Sequence, residues 1–469
     1  MKRRFLIFLI ISHIILNFSP CYSQEFEMPG YIYDINTGDI DANGANDILV
    51  SCPYTDTITI LYNDGVGNFE IYYYNRPCGF ILSGIIDADN LIDIITRDGY
   101  YLYCLRNLGN RILSDNIILL PISGTYDVTS IIDINEDSLK DLVFTHTSGE
   151  YWGIFKNNGS LTFTNEIIQS GSSTTNPGVG FITDDSLPDI VLTYSAFDRS
   201  SVYVNNGNFN FTEVVLEQTF IGEAFVMNID NQGTEDFAFL ISYSKSIALY
   251  KFIGNDQFER QANYYAPGEY NISTFLPADF NMDGYDDFAI TRGDWWNGSD
   301  SLYIYFNDHN WSFDLNQIFY LGYLGFFNLK SADLNGDLFP DLYMSGAGTN
   351  GNKTLKLLWN DGTGNFSWEN PVFIKESDSI DCKLNVFPNP FHDNVRIEVQ
   401  LTNKSRVSVT MYDLFGKIVK EFCDIESHSP QLQINWDGTD EEKGTCPQGI
   451  YILTLRSDSD QISKKIVKY

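Results

Sequence analysis

Side chains that carry oxygen recur in this chain at a fixed alternation. Asp39, Asp41, Asn43 and Asp47 stand at positions 1, 3, 5 and 9 of a nine-residue stretch, with Gly44 at position 6. Asp279, Asn281, Asp283 and Asp287 repeat the arrangement around Gly284. The pattern is D-x-[DN]-x-[DN]-G-x-x-D followed by an apolar run. Alternate positions on a short loop turn their oxygens inward. That suits a hard cation such as calcium, which takes six to eight oxygen ligands at about 2.3–2.6 Å. Glycine at position 6 permits the sharp turn because it has no Cβ. Position 7 offers a carbonyl and position 9 a closing carboxylate. Asp, Asn and Gly also suit turns that hold no metal, so one copy decides little.

Seven copies decide more. The first loop position falls at residues 39, 85, 133, 181, 228, 279 and 333, in steps of 46, 48, 48, 47, 51 and 54. Loops one, three, six and seven keep all four side-chain ligands. Beyond the two above, these are Asp133, Asn135, Asp137 and Asp141, then Asp333, Asn335, Asp337 and Asp341. Ser138 and Leu338 stand where glycine is expected. Loop two opens with Ile85, loop five has Gln232 in its middle, and loop four has Phe181 and Thr183. Four calcium sites are expected, with two weak ones and none in loop four. Position 9 is Asp in every copy, loop four's Asp189 included. This points to a second role, independent of metal, as acceptor for backbone N–H groups of the turn. The opening resembles an EF-hand loop, but no Glu closes it at position 12. A β-run follows instead, such as Ile48-Leu49-Val50.

The elements that position these loops are strands. About sixteen residues beyond position 9 comes an Asn/Gly hairpin, as in Asn63-Asp64-Gly65, Asn157-Asn158-Gly159, Asn205-Asn206-Gly207 and Asn360-Asp361-Gly362. Such pairs supply the positive φ angles of tight hairpins. Each repeat reads as strand, acidic loop, strand, hairpin, strand, Asn/Gly hairpin, strand. A period of about 40–50 residues with four strands is that of a propeller blade. The expected fold is all-β: a seven-bladed β-propeller followed by a small Ig-like β-sandwich. An open β-solenoid is the runner-up. Residues from about 30 to 370 resemble the FG-GAP/VCBS repeats of integrin α-subunit propellers and many bacterial surface proteins. That resemblance implies calcium in the loops. It leaves the ligand open, because such propellers serve adhesion, sugar binding and a few lyases.

Residues 1–23 read as a secretory signal: Lys2, Arg3 and Arg4, then the largely apolar run from Phe5 to Phe18, then Cys21-Tyr22-Ser23 before Gln24. The run is short of the ~20 residues that span a bilayer, and no transmembrane anchor is expected in the mature chain. The formal charge of −33 becomes −36 without the signal, and residues 24–381 carry −35 of it. That acidity would repel phosphates and argues against nucleic acid. Six cysteines remain: Cys52, Cys78, Cys104, Cys382, Cys423 and Cys446. An exported chain can oxidise them, and Cys423–Cys446 is the pairing expected within the last domain.

The charge step marks a boundary. The propeller is assigned to 24–370, a linker to 371–382 and a last domain to 383–469. Alternating strands such as Val395–Val399 and Val407–Met411 suit an Ig-like sandwich. Val386-Phe387-Pro388-Asn389-Pro390-Phe391, Tyr412-Asp413-Leu414-Phe415-Gly416, Trp436-Asp437-Gly438, Gly449-Ile450-Tyr451 and the terminal Lys464-Lys465-Ile466-Val467-Lys468 follow in order. Together they resemble the type A C-terminal sorting domain of the Bacteroidota type IX secretion system. This implies the type IX machinery as a partner and a secreted or outer-surface location.

No G-x-S-x-G, H-E-x-x-H or P-loop occurs. His146 and His309 lie in blades three and six with no Ser or Asp partner at motif spacing. The reading is a calcium-binding adhesion module for a glycan or a surface protein. The alternatives are a polysaccharide-acting lyase or hydrolase and a purely structural surface-layer component. One binding patch stands out in Arg292-Gly293-Asp294-Trp295-Trp296. Paired indoles there would stack on a sugar ring while Arg292 or Asp294 holds hydroxyls.

Overall fold

The computed structural model describes residues 24–468 except 371–381 and a set of short segments: 88, 99–100, 119–125, 147–150, 171–176, 195–198, 217–221, 242–245, 266–270, 293–299, 323–325, 347–352, 369, 390, 393, 402–405, 414–417, 427–430, 441–442 and 458–460. The signal sequence, nearly all of the linker and the Trp295-Trp296 pair lie outside the described residues.

Antiparallel sheets succeed one another along the chain, six of four strands and a last one of five. Blade one is Asp34–Gly38, Asp47–Cys52, Thr57–Asn63 and Phe69–Asn75, paired in that order. The first strands of the six further sheets are Ile81–Gly84, Tyr126–Ile132, Gly178–Gly180, Ala224–Met227, Ile272–Ala278 and Phe326–Ala332. Seven sheets make seven blades. At six of the seven junctions, the closing one between blades seven and one included, the first strands of neighbouring blades pack on each other, so these strands surround the axis. In every blade the acidic loop joins strands one and two. An Asn/Gly hairpin, or its equivalent, joins strands three and four.

The second strands read as unbroken apolar runs because both of their faces are covered. Asp47–Cys52, Asp189–Tyr194 and Asp341–Gly346 are buried at every residue. Each blade-to-blade contact has its own core. Leu49, Ile60 and Ile58 meet Ile81, Ile94 and Leu105 between blades one and two. Trp152 and Ile154 meet Ile190 and Tyr203 between blades three and four. Ile35, Val50 and Leu61 meet Leu334, Leu357 and Trp359 between blades one and seven. Aromatic rings fill much of these wedges, and the Phe237 and Tyr250 rings stack at 5.2 Å.

The ring closes through its own N-terminus. Glu25–Glu27 pairs antiparallel with Thr354–Asn360 of blade seven, with Phe26 opposite Leu355. The short strand Phe366–Ser367 pairs with the other end of the same strand. Blade seven's outer edge is thus shared between the two ends of the propeller, an arrangement the repeat pattern does not reveal.

The tail is a sandwich of three and four strands. Cys382–Phe387, Val395–Leu401 and Gln431–Trp436 form one sheet, and Ile418–Glu426, Arg406–Asp413, Gly449–Ser457 and Gln461–Lys468 the other. Phe391, Val399, Met411, Trp436, Tyr451 and Leu453 fill the space between them. The sequence motifs meet here. Asn389 Oδ1 accepts the Val467 N–H at 2.7 Å, and Lys468 Nζ donates to the Cys446 carbonyl at 2.8 Å. Cys446 is a buried free thiol, so the expected Cys423–Cys446 disulfide is absent; the sheet core takes its sulfur instead.

Candidate metal-binding face

The acidic loops stand side by side on one face of the disc and touch around the ring. Asn46 Nδ2 of loop one donates to the Asp333 carbonyl of loop seven at 3.1 Å, and Ser186 of loop four donates to Glu136 of loop three at 2.6 Å.

Position 9 is the buried foundation. Asp47, Asp93, Asp141, Asp189, Asp236, Asp287 and Asp341 are 0–1% exposed. In six loops one oxygen accepts the N–H of position 2, as Asp47 does from Ile40 at 2.8 Å and Asp341 from Leu334 at 2.9 Å. In loop four the Thr183 N–H and hydroxyl, both at 2.9 Å, replace it. The other oxygen accepts the N–H of the Asn that ends the third strand. These are Asn63, Asn107, Asn157, Asn205, Asn307 and Asn360, at 2.8–2.9 Å. The metal-independent role expected of position 9 is therefore present in loop four as in the others.

Each of those asparagines then reaches backward to the preceding blade. Its Nδ2 donates to the carbonyl of position 2 there: Asn107 to Ile40 at 2.7 Å, Asn157 to Ile86 at 2.9 Å and Asn205 to Ile134 at 2.8 Å. Asn307 reaches Ile229, Asn360 reaches Phe280, and Asn63 closes the circle on Leu334 at 2.7 Å. A second bond from the same Nδ2 takes the position 8 carbonyl of its own loop. The sequence reading took these asparagines only as hairpin residues. Their regular distance from position 9 was the available signal.

Above this foundation lie the candidate ligands. Position 1 caps the turn: Asp39 accepts the N–H of Asn43 and of Gly44, and Asp133, Asp279 and Asp333 do the same in loops three, six and seven. Position 6 takes positive φ throughout these four, 89° at Gly44 and 91° at Gly284, but also 70° at Ser138 and 77° at Leu338. The capped turn thus holds two non-glycine residues in the left-handed region. In loop one a carboxylate oxygen from each of Asp39, Asp41 and Asp47 falls within 4.8 Å of the others. Asp41 Oδ1 is buried and accepts no hydrogen bond. Among the described residues no other group of three acids converges so closely.

Cationic side chains of the protein approach several loops. Arg111 binds Asp41 Oδ2 at 2.8 Å from blade two. Arg106 pairs with Asp87 and Asp89, Lys251 with Asp230, and Lys156 with Asp137 at 3.6 Å. His309 Nε2 lies 3.0 Å from Asp283 Oδ2 and its ring stacks on Tyr285 at 3.9 Å. The spacing had given His309 no acidic partner, because the two lie 26 residues apart and meet only across the blade's hairpins. Arg292 is 3% exposed, with its guanidinium 5.7 Å from the Tyr303 ring centre. It cannot serve a sugar at the surface, which removes it from the patch read in the sequence.

Burial pushes the position 9 carboxyls up. Asp47, Asp93, Asp141 and Asp189 rise to about 6 and Asp236 and Asp287 to about 7, although backbone N–H groups pull the other way. Nearby loop carboxylates add to the rise at Asp141, Asp236 and Asp287.

The comparisons with known proteins agree with this architecture. Residues 385–469 match the secretion system C-terminal sorting domain, and residues 228–290 match the FG-GAP-like repeat. A matched FG-GAP-like repeat within the propeller is thus followed by a matched type IX sorting domain. The FG-GAP segment starts at position 1 of loop five and ends in the strand after loop six. The sorting domain marks the chain for type IX export to the cell surface or the medium. No helix among the described residues is long and apolar enough to cross a membrane. No curated protein matches the chain in sequence. Among solved structures, an Agrocybe aegerita lectin described as recognising non-reducing terminal N-acetylglucosamine aligns at TM-score 0.52 and 15% identity, over 72% of this chain and 94% of that one. BBS1N, solved in complex with ARL6DN, aligns at TM-score 0.50 and 13% identity, over 71% and 93%. Both support the propeller fold alone.

Two expectations follow from the foundation. Asn205→Ala strands buried carbonyls of Ile134 and Pro188 and is expected to cost about 2–4 kcal/mol in chemical denaturation. The exposed neighbour Asn206→Ala is expected to stay within about 1 kcal/mol. The position 9 carboxyls are held above their unfolded values. The native state therefore keeps protons that the unfolded chain has released between about pH 4 and pH 7, and stability falls as pH rises through that window. In chelator, thermal melts are expected to be higher at about pH 5 than at about pH 7.5.

Proposed function

We propose that this exported propeller is a surface binding module for glycan or protein ligands whose scaffold is fastened by calcium. The observation that carries the calcium reading is loop one. Three carboxylates converge there, and one buried oxygen, Asp41 Oδ1, has no donor to satisfy it. A buried carboxylate oxygen without a partner is costly, and a divalent ion supplies what it lacks. Loops three, six and seven offer the same donor set of Asp133, Asn135, Asp137 and Asp141, Asp279, Asn281, Asp283 and Asp287, and Asp333, Asn335, Asp337 and Asp341.

Extracellular calcium modules bind with dissociation constants of ~10⁻⁴–10⁻³ M. At ~2 mM calcium and ~0.1 mM affinity, one site stabilises by about 1.8 kcal/mol. Four independent sites would add about 7 kcal/mol, comparable with a typical domain's whole stability. Chelation is expected to lower the melting temperature sharply, and added calcium to restore it. An unchanged melt would sink the calcium reading.

The binding reading is supported by export and by the fold, which the GlcNAc-recognising lectin shares at low identity. In sequence, Trp295 and Trp296 stand next to each other among polar residues, and two adjacent indoles suit stacking on a sugar ring. On a glycan array the wild-type protein is expected to bind and Trp295→Ala/Trp296→Ala to lose binding. Equal binding by the variant would remove the patch.

A further inference from the structure

Loops two and five both depart from the complete pattern at position 1, and loop five also at position 5, where Gln232 stands. Each lacks an acid at position 1, where Ile85 and Asn228 stand. Each instead receives a cation from its own blade. Arg106 Nε binds Asp87, and its Nη2 reaches Asp89 Oδ2 at 3.2 Å. Lys251 Nζ binds Asp230 and reaches Gln232 Oε1 at 3.1 Å. The contacted residues are positions 3 and 5 of their loops, whose oxygens in the complete loops are the ligands proposed for calcium.

The two cations also come from one place in the fold. Arg106 immediately precedes Asn107 in the third strand of blade two, and Lys251 immediately precedes Phe252, which stands where the third strand of blade five would have that Asn. In blades one, six and seven the same strand position holds Tyr62, Phe306 and Trp359, none of them charged. Blade four has Val204 there and also lacks the ligands. A cation at this position thus accompanies two of the three incomplete loops, and an aromatic accompanies three of the four complete ones. Blade three is the intermediate. Its loop is complete, yet Lys156 occupies the strand position and stands 3.6 Å from Asp137.

We infer that Arg106 and Lys251 occupy the cation positions of loops two and five in place of a metal ion, so that these blades hold their acidic loops closed without calcium. The inference rests on the calcium reading of the complete loops. Loops six and seven then depend on dissolved calcium, loops two and five on a tethered charge, and loops one and three bind calcium against competition from Arg111 and Lys156. In loop two the carboxylates at positions 3 and 5 repel, and the guanidinium between them removes that repulsion with no ion to capture; in loop five the ammonium offsets the single carboxylate of Asp230 and is held by the Gln232 amide oxygen.

The test uses the full chain and counts bound calcium after equilibrium dialysis, with circular dichroism to verify folding. Ile85→Asp restores the missing ligand of loop two but leaves Arg106 in place, and is expected to bind the same number of ions as wild type. Ile85→Asp/Arg106→Tyr, with the residue type that blade one uses, is expected to bind one more ion per chain. Asn228→Asp/Gln232→Asp against Asn228→Asp/Gln232→Asp/Lys251→Tyr repeats the comparison in blade five, should the blade two variants fail to fold. A gained ion in the single variant, or none in a folded double variant, overturns the inference. A wild-type chain that binds no calcium overturns the calcium reading first, and this inference with it; that result is distinct because it appears before any substitution.

Discussion

The structure depends on one small constraint: the carbonyl and N–H of position 2 in each acidic loop are buried and must be satisfied. Ile40, Ile86, Ile134, Ile182, Ile229, Phe280 and Leu334 fill this position and are at most 1% exposed. Their side chains wedge between blades, so their backbone groups cannot reach water. The position 9 Asp of the same blade serves the N–H in six of the seven, and in six the Asn of the following blade serves the carbonyl. One residue pair, Asp and Asn, therefore both shapes its own loop and fastens it to a neighbour. Because each bond runs from one blade to the one before, the set follows the ring with one gap, between blades five and four, and Asn63 on Leu334 joins the last blade to the first. The N-terminal strand Glu25–Glu27 closes the same junction at the outer edge.

This arrangement separates two kinds of acidity that look alike in the sequence. Position 9 carboxylates belong to the backbone and persist where no metal set survives, as Asp189 does beside Phe181 and Thr183. Positions 1, 3 and 5 are more exposed in most loops, Thr183, Asn335 and Asp337 being the buried exceptions, and their occupants vary from blade to blade. Their charges need an opposing cation of some kind, which explains why so many of the few basic side chains in an acidic chain gather on this face. Arg106, Arg111, Lys156 and Lys251 all end on loop carboxylates.

The repeat, the four-stranded blades, the position of each acidic loop and the tail's sandwich were legible in the sequence, because turn chemistry and apolar runs are local signals. The asparagines were visible but read as turn formers, since their second partner lies about seventy residues back, in another blade. Arg106 and Lys251 escaped notice for a similar reason. They sit 19 and 21 residues after the acids they bind. Only the hairpin register between the second and third strands brings them over the loop. The Cys446 thiol was misjudged because composition cannot distinguish a core sulfur from a bonded one.

The junction of blades four and five tests the logic. Phe252 stands where the fifth Asn belongs, so no side-chain amide reaches back to Ile182 from that position. The bridge moves one residue along. Glu235, at position 8 of loop five, donates its N–H to the Phe181 carbonyl at 2.8 Å and accepts the Phe181 N–H on its carboxylate at 2.6 Å. Asp286, the position 8 residue of loop six, repeats this on Asn228 at 2.7 Å for both bonds. At that junction the amide bridge from Asn307 is also present, so the carboxylate bridge is an addition there and a replacement in blade five. Two chemically different side chains thus do the same work on adjacent residues of the preceding loop. What each junction keeps is a polar tie between neighbouring acidic loops, whichever residue provides it. The two junctions that use an acid in this way flank loop five, which has a tethered lysine in place of a full ligand set.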